Sequence, residues 1–234
     1  MIELRNVTKR YGSTVAVDQV SFQVRAGESF ALLGPNGAGK TTIVRMLLDF
    51  TRPTSGHLSV NGIPSTQPGC RATLGYLSEN CRIPPNLSGW QYLERCAELL
   101  RMDRSQAARA CRNMVELIGM SGREHGKART YSKGMVQRFG IGAALLGNPG
   151  LLILDEPTAG LDPMGIRELR LLLESLQSRG MTIFLNSHLL SEVGKICDTA
   201  AILNSGRLLV KDAIASLVKE GDTLEDVFVR LVKG

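Results

Sequence analysis

Gly34-Pro35-Asn36-Gly37-Ala38-Gly39-Lys40-Thr41 decides how the rest of this sequence is read. It fits G-x-x-x-x-G-K-[ST], and a second threonine, Thr42, follows directly. Ahead of it, Phe30-Ala31-Leu32-Leu33 is a short apolar run suited to a buried strand, and Thr42 to Leu48 can continue as a helix. Its glycines let the backbone form a nest of N–H groups that converge on an anion, with a helix N-terminus behind them. Lys40 then reaches the β- and γ-phosphates, and the Thr41 hydroxyl holds Mg²⁺. The bland alternative, a Gly-rich strand-to-helix turn, leaves the shared register of all these positions unexplained. The stretch implies a nucleoside triphosphate.

Working outward, Leu151-Leu152-Ile153-Leu154-Asp155-Glu156 is an aliphatic run that ends in two carboxylates. It reads as a buried parallel strand delivering both acids to its C-terminal end. Asp155 suits the water shell of Mg²⁺, and Glu156 suits the orientation of an attacking water. A strand that merely ends in two solvated acids is the alternative for this fragment alone. Met181 to Leu185 is another buried strand, and it stops at Asn186-Ser187-His188, where doubly wound folds place ligands. His188 is therefore read as a donor to a γ-phosphate or leaving group. Between these strands, Asp162-Pro163 opens a helix with Leu169, Leu172, Leu173 and Leu176 on its apolar face, and Gly180 closes it.

The N-terminal part reads as antiparallel β. Val20, Phe22 and Val24 alternate with polar residues, and Leu58 and Val60 run into an Asn61-Gly62 turn. From Ser88 the pattern becomes helical. Ser88 and Gln91 form a capping box, followed by Trp90, Leu93, Ala97 and Leu100 at helical spacing. A second helix, from about Ser105 to Ile118, carries Ala107, Cys111, Met114 and Leu117 on one stripe and stops at Gly119. Tyr131-Ser132-Lys133-Gly134-Met135 then opens a helix that ends before Pro149; Ser132 is its N-cap, and its free N–H groups and macrodipole attract phosphate. After a hairpin around Asn204-Ser205-Gly206, Asp222-Thr223-Leu224-Glu225 caps a last amphipathic helix.

Composition narrows the setting. The chain has 234 residues, 43% of them apolar, enough for one domain with a lobe. No apolar stretch nears the ~20 residues of a membrane helix, and the N-terminus lacks a long apolar segment. The five scattered cysteines contain no C-x-x-C, so neither a disulfide framework nor a zinc site fits, and a reducing cytosol is expected. Of the +6 formal charge, a surplus of five lies between Glu94 and Arg138, with ten Lys/Arg against five Asp/Glu. That surplus suits nucleic acid, anionic lipid or an acidic protein groove, and equally a solvated helical face.

The phosphate loop, the Ser-x-Gly helix cap, the aliphatic-Asp-Glu strand and the strand-end histidine occur in one order. Together they resemble the ATPase subunit of an ATP-binding cassette (ABC) transporter over essentially the whole chain. The resemblance implies an α/β fold: a P-loop NTPase core with a parallel sheet, an N-terminal antiparallel β element and an inserted α-helical lobe. A single domain over 1–234 is expected, with the core at 1–86 and 139–234 and the lobe at 87–138. ATP would lie on Gly34 to Thr42 with its adenine stacked on Tyr11. Mg²⁺ would be served by Thr41, Asp155 and Glu79, while Lys40, Glu156 and His188 carry hydrolysis. Ser132, Lys133, Gly134 and Met135 would close over the ATP of a second, identical or paralogous ATPase chain, and Ala159-Gly160-Leu161-Asp162 would cross between the two. The lobe would dock under membrane-spanning permease subunits at the cytoplasmic face, without direct nucleic-acid contact.

Two positions depart from the family pattern. Glu79 stands where glutamine is usual, which sets a third negative charge beside Asp155 and Glu156. The signature is Tyr131-Ser132-Lys133-Gly134-Met135 in place of Leu-Ser-Gly-Gly-Gln. Similar variants occur among exporters built from separate ATPase and membrane chains, which points to export. Two rival readings remain. A soluble ABC-type ATPase on nucleic acid or ribosomes suits the charge but lacks aromatic-basic interleaving. A P-loop kinase leaves the Ser132-Gly134 cap without a purpose.

Overall fold

In the computed structural model, which describes residues 1–233, the chain first builds β1 (Ile2–Tyr11), β2 (Thr14–Val24), β3 (Ser29–Leu33) and α1 (Lys40–Leu47). Next come β4 (Ser55–Val60), β5 (Ile63–Pro64), β6 (Leu74–Leu77), α2 (Gly89–Leu99), α3 (Arg104–Leu117) and α4 (Lys133–Leu145). The remainder is β7 (Leu151–Asp155), α5 (Pro163–Ser178), β8 (Thr182–Asn186), α6 (Leu190–Ile196), β9 (Thr199–Asn204), β10 (Arg207–Ala213), α7 (Ile214–Leu217) and α8 (Leu224–Lys233).

Two sheets result. The four-stranded antiparallel one has the order β2-β1-β4-β5, and the six-stranded one β10-β9-β3-β8-β7-β6. In the first, Val20, Phe22 and Val24 are buried while Ser21 and Gln23 face solvent, as their alternation predicts. In the second, β3, β7 and β8 are buried at every residue, the mark of parallel strands covered on both faces. Only β10 runs antiparallel there, joined to β9 through a two-residue turn at Ser205-Gly206 with φ of 48° and 81°. Because β3, β7 and β8 are parallel neighbours, the phosphate loop, Glu156 and the segment leading to His188 all leave from the same sheet edge.

The helical segment has its own core, built from Leu93, Ala97, Ala107, Cys111, Val115 and Phe139 among others. Both of its first helices carry capping boxes. The expected one joins Ser88 and Gln91, and a second, at Asp103 and Gln106, starts α3 at Arg104. The predicted stripes need correction. Leu100 lies just past the end of α2 and is half exposed, and the unpredicted Val115 is buried in the lobe core, which Met114 only borders. Leu117 leans instead on the cluster under the parallel sheet, and Met114 packs against both cores. Among the described residues all five cysteines are free thiols, and burial pushes the Cys197 thiol well up.

Candidate functional site

The phosphate loop is held by close backbone approach from behind. Gly39 has φ of 102°, and a Cβ there would lie 2.4 Å from the Ala16 carbonyl oxygen. A Cβ at Gly34 would lie 2.5 Å from the Leu203 carbonyl oxygen. Gly206, in the β9–β10 turn, donates its N–H to the Ala38 carbonyl at 3.2 Å. Glycine is therefore required where the loop is wedged between β2 and that turn. Lys40 opens α1, whose first N–H groups have no intrahelical acceptor. Its ammonium is buried and donates to the Gly34 and Pro35 carbonyls at 2.6 and 3.2 Å. Burial lowers the Lys40 pKa, against the raising effect of Glu156 and then Asp155.

The acids arrive on β7. Asp155 is its last residue, paired in register with Asn186 of β8, whose Nδ2 donates to Asp155 Oδ1 at 2.5 Å. Glu156 turns away in the left-handed region (φ 48°), and its N–H donates to the Asn186 carbonyl at 2.8 Å. Burial is the main cause that raises the Asp155 pKa; the Asn186 hydrogen bond opposes it, while the charges of Glu156 and Glu79 push it further up. The crowding expected from Glu79 is thus felt at Asp155. Glu156 Oε2 is engaged by the exposed ring of His188, a pairing that spacing did not foretell.

These groups share one cavity of about 510 Å³, a size suited to a small ligand. Asn36 to Thr42, Glu79, Asp155, Glu156 and His188 line it, with Tyr11 46% exposed in its wall. Lys9 Nζ sits 4.9 Å from the Tyr11 ring centroid, a cation on the ring. Gly34 and Pro35, predicted for the same site, border instead a neighbouring cavity of about 300 Å³ with Ser187, Leu190 and Phe228. Ala16 and Asn186 were not predicted as lining residues; Ala16 carries no sequence signal, and Asn186 stood in view as the end of its strand.

Mg²⁺ fits the donors present. Thr41, Asp155 and Glu79 offer hard oxygens, and the buried Asn186 Oδ1 lacks a hydrogen-bond partner. Among the described residues no group of three or more His, Cys, Asp or Glu forms a closed metal cage. The set suits a cation that keeps water and borrows phosphate oxygens.

The signature residues lie elsewhere in the chain's surface. Ser132, Lys133, Gly134 and Met135 line a separate cavity of about 520 Å³ together with Leu161 and Asp162. Ser132 caps α4, its Oγ accepting the Met135 N–H at 3.3 Å. Asp162 caps α5 by accepting the Gly165 N–H at 2.7 Å. The helix behind the cap is anchored twice. Gln137 Nε2 donates to the Pro157 carbonyl at 2.8 Å, and Arg138 holds the Ile118 carbonyl at 3.0 Å while pairing with Glu168. Tyr131 explains its own departure from leucine. Its hydroxyl accepts the Gly89 N–H at 3.0 Å and donates to the Arg123 carbonyl at 2.9 Å, and its ring stacks on Phe139.

A family model described as ABC transporter matches residues 17–159. An uncharacterized ABC transporter ATP-binding protein of Nostoc sp. is 42% identical over 211 residues, 89% of this chain and 63% of that protein. A Nod factor export ATP-binding protein of Cupriavidus metallidurans is 36% identical over 213 residues, 90% of this chain and 70% of that one. The chain thus spans less than two thirds of the Nostoc relative's length. A solved ATP binding subunit of an ABC transporter superposes with a TM-score of 0.87 at 27% identity, covering 99% of each chain. This chain belongs to the ATP-binding proteins of the ABC transporter family.

Proposed function

We propose that this chain hydrolyses MgATP as one of two facing ATPase chains, and that the pair drives export through separate membrane-spanning subunits. The observation that carries the reading is the division of the machinery between two cavities. Lys40, Asp155, Glu156 and His188 border one, and the Ser132 helix end borders the other. A phosphate-attracting helix end without a phosphate loop of its own is completed by the loop of a second chain. The charge agrees: from Arg123 to Arg138 there are five Lys/Arg against one Asp/Glu, which draws a triphosphate towards Ser132 and Gly134.

In this mechanism Lys40 and the loop N–H groups hold the phosphates, and Tyr11 supports the adenine. Thr41, Asp155 and Glu79 would hold Mg²⁺, which would supply positive charge against the β- and γ-phosphates. Glu156 orients a water and accepts its proton, and His188 steadies both Glu156 and the γ-phosphate. The water oxygen bonds to the γ-phosphorus, the bond to the bridging oxygen breaks, and ADP and phosphate leave. ATP acts as glue between the chains, so its loss opens them and moves the lobe, taken as 87–138 of a single domain.

Docking of membrane subunits on the lobe is supported by an apolar groove lined by Tyr76, Cys96, Leu99 and Leu100, of which Leu99 is 84% exposed. No helix among the described residues is long and apolar enough to cross a membrane, so the proposed station is peripheral, at the cytoplasmic face. The export direction is supported by the name of the Cupriavidus relative.

The test is Glu156→Gln. Intact ATP binding, arrested hydrolysis and an ATP-dependent dimer on gel filtration are expected. Hydrolysis at the normal rate by this variant, or equal specific activity of the wild type at high dilution and high concentration, overturns the reading. ATPase activity stimulated by nucleic acid without any membrane protein would favour the soluble rival.

A further inference from the structure

The proposed chemistry leaves Asn186 unused, yet this residue touches both acids. It is 1% exposed at the end of β8 and still borders the cavity that holds Lys40 and Thr41. Its backbone carbonyl accepts the Glu156 N–H at 2.8 Å, and its Nδ2 donates to Asp155 Oδ1 at 2.5 Å. The opposite amide orientation would set two acceptors against each other, so Oδ1 faces away from Asp155. That oxygen is buried and lacks a partner among the described residues.

A buried amide oxygen without a donor signals a group that is completed by something else. Here the something else must donate and not accept. Water bound to a divalent cation meets that condition, because its lone pair is committed to the metal and its hydrogens point outward. Mg²⁺ keeps several such waters when protein carboxylates and phosphates hold it.

We propose that Asn186 is a positioning residue for the divalent cation. Nδ2 fixes the Asp155 carboxylate so that Oδ2, which has no hydrogen bond among the described residues, is left for the cation's water shell. Oδ1 accepts a hydrogen bond from a cation-bound water of the same shell. The proposal rests on the MgATP reading of this cavity, and it adds a specific reason for an amide at this strand end. Groups of this kind, one step removed from the metal, typically change its affinity by about 10–100-fold.

The experiment compares Asn186→Thr with Asn186→Val in the full chain. The two side chains have nearly the same shape and both suit a strand, but only threonine keeps a donor and an acceptor. Binding of a fluorescent ATP analogue is titrated in EDTA and then against rising Mg²⁺. The Mg²⁺ concentration for half-maximal enhancement is expected to rise about tenfold in Asn186→Val. In Asn186→Thr it should stay within about threefold of the wild type, and affinity in EDTA should be the same in all three. Equal Mg²⁺ requirements in all three overturn the proposal. So does an equal rise in both variants, or a loss in EDTA as large as the loss in Mg²⁺. If the valine variant fails to fold, Asn186→Ser against Asn186→Ala makes the same comparison. A wild type that binds no nucleotide under any condition refutes the MgATP reading itself.

Discussion

Glu156 Oε2 accepts a hydrogen bond from the backbone N–H of His188 at 3.3 Å and lies 2.8 Å from Nδ1 of the same residue's ring. The two residues follow adjacent parallel strands, so the sheet itself brings the proposed base and the proposed γ-phosphate donor together. Side chains in direct contact are coupled, and their losses do not add. His188→Ala and Glu156→Gln are each expected to lower kcat by about 10²-fold or more. The double variant should be no slower than the worse single. Steady-state ATPase rates at saturating MgATP decide it: a multiplicative loss means that the pair acts as two independent groups.

Tyr131→Phe keeps the stack on Phe139, whose ring lies 5.3 Å away, but removes the hydroxyl that serves the Gly89 N–H and the Arg123 carbonyl. A partly buried donor at the start of α2 then loses its acceptor. The cost is about 1 kcal/mol. In a chain of this length that lowers Tm by about 2–4 °C in a calorimetric scan. An unchanged Tm would mean that water replaces the hydroxyl without loss.

These particulars show where sequence was enough. The parallel strands were legible because full burial demands unbroken aliphatic runs, and Leu151 to Leu154 has nothing else in it. The phosphate loop was legible because Gly39 and Gly34 are dictated by contacts closer than a Cβ permits. The lobe stripes were read less well. Helical spacing cannot say which of two cores claims a face: Leu117 went to the sheet, and Met114 is shared between the two. Pairings across strand ends, such as Asn186 with Asp155, depend on register between segments far apart in the chain, and no local pattern carries that.

Cys111 makes a pH test of the lobe. It is fully buried, and burial, aided by Glu94 and Cys96, pushes its thiol from an ordinary 9.0 to about 11. A raised pKa means that the native state holds the proton longer than the unfolded chain. The associated stability is complete below pH 9.0 and is lost as pH rises towards about 11. Tyr92 is pushed up by burial as well and steepens the same decline. Cys111→Ala should flatten the fall in urea-unfolding free energy over that window without abolishing it. An identical slope in both proteins would remove Cys111 from the alkaline transition.

Glu79 adds negative charge where a triphosphate must enter, and its influence already registers as a raised Asp155. Glu79→Gln removes the charge and keeps the shape. With Mg²⁺ absent, ATP should bind about fivefold more tightly, the equivalent of about 1 kcal/mol between unit charges in a solvated site. The gain should shrink as salt rises, because Glu79 is exposed and screened. It should shrink again when Mg²⁺ is added, since the cation neutralises the same field and the glutamine offers it a weaker oxygen. Calorimetric titration of ATP in EDTA at low and high salt measures the first two effects, and repetition with Mg²⁺ measures the third. If Mg²⁺-free affinity is the same in both proteins at low salt, Glu79 does not act on the nucleotide through its charge.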